Sequence, residues 1–302
     1  MLDKDEFLEQ YGVKKYFEQS ELKWEDLESI YEDYTNKEKE ILDCCKNFEN
    51  FCKNSLVLDN VSFHSIRCRP KDPEHLIEKI IRKRGKEQVQ KYFGINSSNY
   101  LDKVRDLIGM RILVVSKEEW EGIFDELTRI FPKDKEQNNY MAEDPVAYIR
   151  YGDRNIFKSK IHMEHSNKGY RSQHYIVKYN GYYCEIQCRT LAEEVYGEFD
   201  HIVKYPYRTD NNFLLRYTST LSRLTDSIDE MISTCFQMKS DGWSECEQHF
   251  EKDEYFDWQH TSQDNIQALQ SKQTRPHVSN EKPIDIAEYM NNVLLRKEGE
   301  TL

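Results

Sequence analysis

The stretch from His174 to Gln187 restricts the fold more than any other part of the chain. His174-Tyr-Ile-Val-Lys-Tyr179 and Tyr182-Tyr-Cys-Glu-Ile-Gln187 are two β-type runs on either side of Asn180-Gly181. Asn-Gly supplies the positive φ angles of a two-residue hairpin turn, so the runs are read as paired antiparallel strands. Glu185 and Gln187, two residues apart, then share one face of the second strand. A carboxylate on a strand that is apolar at alternate positions must meet solvent or a polar cleft, because burial without a partner is costly. Thr190 follows as the N-cap of a helix running from Leu191 through Val195 and Tyr196 towards His201.

Further elements are legible on either side. Residues 1–55 carry fifteen acids, with Leu22, Trp24, Leu27, Ile30, Tyr31 and Tyr34 spaced by three and four, which predicts one or two amphipathic helices. Leu76, Ile77, Ile80 and Ile81, after Pro73 and before Gly85, predict a helix displaying Lys79, Arg82 and Lys83. Arg111-Ile-Leu-Val-Val115 is short and β-branched, hence a buried strand. Residues 117–130 are expected to be helical, and so is 213–238 beyond Pro206. Four segments result: a helical extension over 1–55, a core domain over 56–210, a helix over 211–239 and an acidic tail or regulatory region over 240–302. The last holds thirteen acids against six Lys/Arg, with Trp243, Tyr255 and Trp258 as possible anchors.

The net charge of −12 excludes a surface adapted throughout to nucleic acid. Residues 64–111 nevertheless carry twelve Lys/Arg against six acids, a local +6 inside a chain that is otherwise strongly acidic. Such a field suits a small polyanion, although a solvated helix face accounts for some of these cations. Eight cysteines without a Cys-x-x-Cys pair read as reduced thiols of a cytoplasmic protein. No basic-then-apolar leader and no membrane-spanning run is apparent.

The chemistry concentrates between Arg69 and His201. Arg69, Lys71 and Lys79 offer cations to a phosphate chain, whose transfer requires charge stabilisation. Asp106 stands just before the predicted strand, where a carboxylate commonly holds Mg²⁺ against a polyphosphate, although a lone Asp there is by default a turn cap. Glu185 is a second carboxylate. Tyr170 follows Gly169 in a loop with Lys158, Lys160 and Lys168, and an exposed tyrosine can stack on a base; a core aromatic is the plain alternative. His162-Met-Glu-His165 and the Glu198, Asp200, His201 group have no third His or Cys partner, so a zinc site is not expected.

Taken in order, Arg69-Pro70-Lys71 with Lys79, Asp106-Leu-Ile-Gly-Met-Arg111, Gly169-Tyr-Arg-Ser-Gln-His174 and Glu185-Ile-Gln-Cys-Arg-Thr190 closely resemble the RelA/SpoT nucleotidyltransferase domain over about 150 residues. The resemblance implies an α/β fold, with a mixed sheet of about five strands, nucleotidyltransferase-like, packed with helices and extended by N- and C-terminal helices. It also implies pyrophosphate transfer from ATP to the 3′-hydroxyl of GDP or GTP, giving (p)ppGpp, as in a small alarmone synthetase. Arg69 and Arg111 would then flank the adenine, with Lys71 and Lys79 on the ATP phosphates and Asp106 and Glu185 catalytic and on Mg²⁺. Lys168, Tyr170, His174, Gln187 and Arg189 would meet the acceptor. Two alternatives stay open: a toxic relative that pyrophosphorylates the tRNA 3′ end or another nucleotide, and a catalytically inactive nucleotide-binding regulator, which the intact carboxylates and cations disfavour. A homo-oligomer is possible; no membrane partner is expected.

Overall fold

The computed structural model describes residues 2–56, 63–150, 153, 160–166, 170–204 and 212–240, and these fall within a compact unit ending at Gly242. Lys158, Lys168, Gly169, Pro206 and the acidic stretch with Trp243, Tyr255 and Trp258 lie outside the described residues.

Four helices open the chain where periodicity predicted one or two: α1 (Lys4–Gln10), α2 (Lys14–Ser20), α3 (Trp24–Asn36) and α4 (Glu38–Ser55). The breaks are backbone events. Gly12 and Glu21 take left-handed φ values of 62° and 58°, and a left-handed residue stops a helix. Leu27, Ile30, Ile41 and Phe48 of α3 and α4 are fully buried, each contributing roughly 1.5–3 kcal/mol relative to exposure.

The remainder alternates strand and helix: β1 (Phe63–Pro70), α5 (Pro73–Gly85), α6 (Tyr100–Lys103), β2 (Ile108–Val114), α7 (Trp120–Ile130), β3 (Tyr140–Met141), β4 (Val146–Ile149), β5 (His162–His165), β6 (Ser172–Tyr179), β7 (Tyr182–Thr190), α8 (Leu191–Lys204) and α9 (Asn212–Ser240). Asp72 caps α5 by accepting from the His75 amide at 3.0 Å, and Pro73 supplies a preset φ at the first helical position. The β6–β7 turn is the Asn-Gly hairpin expected, with φ of 46° and 87°. Thr190 caps α8, its Oγ1 accepting from the Glu193 amide at 3.1 Å.

The strands form one mixed sheet in the order β1-β2-β7-β6-β4-β5, with β3 also paired to β6. Among the described residues that makes seven strands, more than the expected five or so. The surplus is short: β3 has two residues and β5, His-Met-Glu-His, has four, without the apolar alternation that marks a strand in sequence. β2 and β7 run parallel, whereas β1–β2 and β7–β6 are antiparallel.

Strand alternation divides the sheet into two faces. Ile108, Met110 and Ile112 of β2, Cys184, Ile186 and Cys188 of β7 and Tyr175 and Val177 of β6 are buried on the face covered by α4, whose Phe48 ring lies 4.9 Å from that of Tyr179. The intervening positions, Arg69, Gly109, Arg111, His174, Glu185, Gln187 and Arg189, line up in register on the other face.

Candidate active site

The cationic end of this face is built around Asp106. Its Oδ2 lies 2.8 Å from Lys71 Nζ and its Oδ1 2.6 Å from Lys79 Nζ. Lys71 follows β1 and its backbone is fixed twice, by its amide donating to the Leu107 carbonyl at 2.8 Å and by the Tyr34 hydroxyl donating to its own carbonyl at 2.7 Å. Lys79 stands in the middle of α5, the helix its spacing predicted. Burial alone would raise the Asp106 pKa, but Lys79 and Lys71 outweigh it and hold the carboxyl well below the usual carboxylate range. Burial pushes the Lys79 ammonium down, and Asp106 offsets this in part.

Glu185 occupies the next strand, opposite Gly109 in the parallel register. A Cβ on Gly109 would approach only the Arg69 carbonyl, at 3.9 Å, so close packing does not require this glycine. Its missing side chain instead leaves the face open between Arg69 and Glu185. Both Glu185 oxygens are engaged: Oε1 lies 3.2 Å from His174 Nδ1 and Oε2 accepts from Gln187 Nε2 at 3.0 Å. Burial raises the Glu185 pKa, but His174 and Lys79 outweigh it and the net shift is downward, while Asp106 is near enough to oppose them. The two carboxylates, 79 positions apart in sequence, therefore share one electrostatic environment.

From Glu185 the polar chain continues. Gln187 Oε1 accepts from Arg189 at 2.9 Å, Arg189 reaches Glu194 of α8 at 3.3 Å, and Glu194 meets Arg111 at 2.5 Å. Arg111 also pairs with Glu198. The pair proposed to flank a base thus differs in its surroundings: Arg69 is exposed, while Arg111 is tied to two carboxylates of α8. Gly197 makes room for this arrangement, since a Cβ there would lie 2.5 Å from Arg189 Nη1.

Tyr170 is not the exposed loop tyrosine that the sequence predicts. It is half-buried against Tyr148 of β4, with ring centroids 5.7 Å apart, and the Tyr148 ring meets His174 edge-on at 4.9 Å. Burial, with Tyr148 adding to it, pushes the Tyr170 hydroxyl up to about 12. Tyr148, Glu194 and Gly197 escaped the sequence reading. Tyr148 carried one available signal, an aromatic between the apolar positions Ala147 and Ile149.

Behind Tyr170 lies a buried ionic cluster. Arg171 grips Asp153 with two nitrogens at 2.5 and 2.8 Å and reaches Asp226 and Glu230 of α9 at 2.6 and 2.8 Å. Its backbone amide donates to Glu193 at 3.0 Å, and Glu193 also pairs with Arg150 at 2.6 Å. Burial drives the Glu193 carboxyl up to about 7. The cluster ties the residue after Tyr170 to α8 and α9.

Residues 68–210 match the model of the region found in RelA / SpoT proteins, a segment that opens in β1 and contains Lys71, Lys79, Asp106, Glu185 and Arg189. Solved structures similar to it include a GTP pyrophosphokinase family protein from Streptococcus pneumoniae, at 18% identity over 80% of this chain and 95% of that one, with a TM-score of 0.44. Small alarmone synthetase 1 from Bacillus subtilis matches at 18% identity over 67% and 93%, TM-score 0.47. The same synthetase bound to its product pppGpp matches at 17% identity over 70% and 94%, TM-score 0.43. A search for relatives among curated proteins gives no match.

Among the described residues, no group of three or more His, Cys, Asp or Glu side chains is placed to hold a metal ion, and no helix is long and apolar enough to cross a membrane.

Proposed function

We propose that this site transfers pyrophosphate from ATP to the 3′-hydroxyl of GDP or GTP, forming (p)ppGpp and releasing AMP. The observation that carries the reading is the layout of one sheet face: Lys71, Lys79 and Asp106 at one end, Glu185 in the middle, and His174 with the Tyr148–Tyr170 pair at the other. A phosphate-handling half and a base-stacking half flank the carboxylate that would act between them.

In this reading Lys71 and Lys79 turn from Asp106 to the phosphate chain, and Arg69, exposed at the end of β1, packs its guanidinium on the adenine. The acceptor base stacks on Tyr170, which Tyr148 backs. Glu185, ionised at neutral pH, takes the proton of the 3′-hydroxyl as that oxygen bonds to the β-phosphorus of ATP. The bond between the β-phosphorus and the α,β-bridging oxygen breaks, and AMP leaves with that oxygen. His174 and Gln187 hold the two oxygens of Glu185 in place for this step. Arg111, bound to Glu194 and Glu198, must leave one of them to reach the adenine.

Asp106 and Glu185 suit Mg²⁺, which takes one or two carboxylates together with substrate phosphates and retains water, and so does not need a three-residue protein cage. When bound, it would neutralise charge on the phosphate chain.

The test is transfer from γ-labelled ATP to GDP, GTP and deacylated tRNA in parallel. Label on GDP or GTP is the expected result. Label only on tRNA would assign the chain to the tRNA-modifying alternative, and label on none would leave a nucleotide-binding regulator.

A further inference from the structure

Helix α4 and the sheet face that it covers are rich in thiols: Cys44, Cys45 and Cys52 stand on the helix, Cys68 on β1 and Cys184 and Cys188 on β7. Four of them behave as small apolar core side chains. Cys44, Cys52, Cys184 and Cys188 are buried, and burial pushes each of their thiols up, which leaves them unreactive.

Cys45 and Cys68 differ. They are 23 positions apart in sequence, yet their sulfurs lie 2.8 Å from each other. A disulfide bond is about 2.05 Å long, so an approach of less than about 1 Å would join them. The contact with Cys68 outweighs burial and lowers the Cys45 thiol, while the same contact, with burial, raises that of Cys68. The two sulfurs in effect hold one proton between them.

The surroundings set this pair up without a covalent link. Glu49, one helical turn beyond Cys45, accepts from the Cys68 amide at 2.8 Å, so α4 and β1 are already fastened side by side at this point. Access is uneven. Cys45 is only 2% exposed, whereas Cys68 is half-buried and sits on β1, the end strand of the sheet. Cys68 is therefore the sulfur that a small reagent meets, and Cys45 the one positioned behind it. Strand alternation turns Cys68 away from the face that carries Arg69.

We propose that Cys45 and Cys68 form a redox modification site, joined reversibly as a disulfide by exchange with a low-molecular-weight disulfide. With the shared proton on Cys45, the Cys68 thiolate attacks one sulfur of the small disulfide, giving a mixed disulfide and releasing one thiolate. That thiolate takes the proton from Cys45. The Cys45 sulfur then attacks the Cys68 sulfur and expels the second thiolate, which is protonated from solvent. Two protein thiols and one small disulfide thus become one protein disulfide and two small thiols, the two electrons passing to the reagent. Excess small thiol reverses both steps. The proposal is independent of the activity assigned above, since neither sulfur lies on the site face.

Oxidised glutathione added to the native full-length chain tests it, followed by blocking of free thiols, trypsin digestion and mass spectrometry. The expected product is the Glu40–Lys46 peptide joined to Cys68–Lys71 with the loss of two hydrogen atoms, and dithiothreitol should abolish it. Cys44 shares the first peptide, so Cys44→Ser should keep the link and Cys68→Ser should lose it. The oxidised wild-type chain should also melt several degrees higher than the reduced one, because the bond closes a loop in the unfolded chain. Glutathione adducts without the joined peptide would overturn the proposal in the wild-type chain alone, whether or not a variant folds. A link that survives in folded Cys45→Ala would overturn it too, by assigning the partner of Cys68 to Cys44.

Discussion

Replacing Asp106 by Asn removes one negative charge from between two ammonium groups held 2.6 and 2.8 Å away, on side chains that are 15 to 18% exposed. From sequence alone this is a change that the fold would ignore. The geometry makes it structural as well, because breaking a buried ion pair by removing one partner typically costs about 3–5 kcal/mol. Asn retains an oxygen to accept from one lysine, which places the expected loss near the bottom of that range, about 3 kcal/mol. For a domain of this size the melting temperature should then fall by roughly 6–12 °C.

The pH dependence carries a definite sign. Burial already lowers the Lys79 pKa, and Asp106 is the main group that opposes it; without the carboxylate it should fall further. In the pH range between the lowered folded value and the ordinary lysine value, the unfolded chain binds more protons, so stability of the variant rises with pH. The melting gap between wild type and Asp106→Asn is therefore expected to be widest near pH 7 and to narrow towards pH 9.5. Turnover should drop by roughly 10²–10³, the usual loss for one electrostatic contact to a transition state. Scanning calorimetry across that pH range, with a transfer assay at pH 7.5, checks both parts. A variant that melts within 1 °C of wild type at pH 7 and turns over normally would refute the role given to this carboxylate.

Tyr170→Ala should weaken acceptor use by about 1–3 kcal/mol, the usual worth of a base–aromatic stack, with KM for ATP unchanged and Tyr170→Phe mild; an ATP defect as large as the acceptor defect would remove Tyr170 from the acceptor half. Gly197→Ala places a methyl 2.5 Å from Arg189 Nη1 while adding about 1 kcal/mol of helix propensity. It should leave the melting temperature within a few degrees and raise the acceptor KM several-fold, and unaltered kinetics would make Arg189 a bystander. The raised Glu193 pKa, about 7, contributes stability that is present below the ordinary glutamate value and lost as pH rises through 7. Relative to wild type, Glu193→Gln should therefore gain stability between pH 5 and 8, by up to about 3 kcal/mol; a flat difference across that range would show that Glu193 titrates normally.

What could be foreseen depended on the range of the chemistry involved. The β6–β7 hairpin, the α5 start and the Thr190 cap are written in neighbouring residues, because turn φ angles and capping hydrogen bonds act over two to four positions. The helical break at Glu21 has no sequence signature, since a glutamate seldom takes the left-handed region, whereas Gly12 marks its own. The residues proposed to act in transfer were legible as a family pattern, but the parallel pairing of β2 with β7 that brings them to one face is not written in either strand. Nor were their supports legible. Arg111 meets Glu198 across 87 positions and Arg171 meets Glu230 across 59, and nothing local marks either pairing. Tyr170 was misread as exposed because its cover, Tyr148, comes from a four-residue strand.

The central claim is pyrophosphoryl transfer governed by Glu185, and product analysis tests it most directly. With ATP and GDP as substrates, anion-exchange chromatography and mass spectrometry should find AMP and a guanosine 3′-pyrophosphate in equal amounts for the wild-type chain. Neither should appear with Glu185→Gln, although that variant should still bind ATP, because its contacts lie between His174 and Gln187 rather than among the lysines. Release of ADP in place of AMP, or undiminished product from folded Glu185→Gln, would contradict the account.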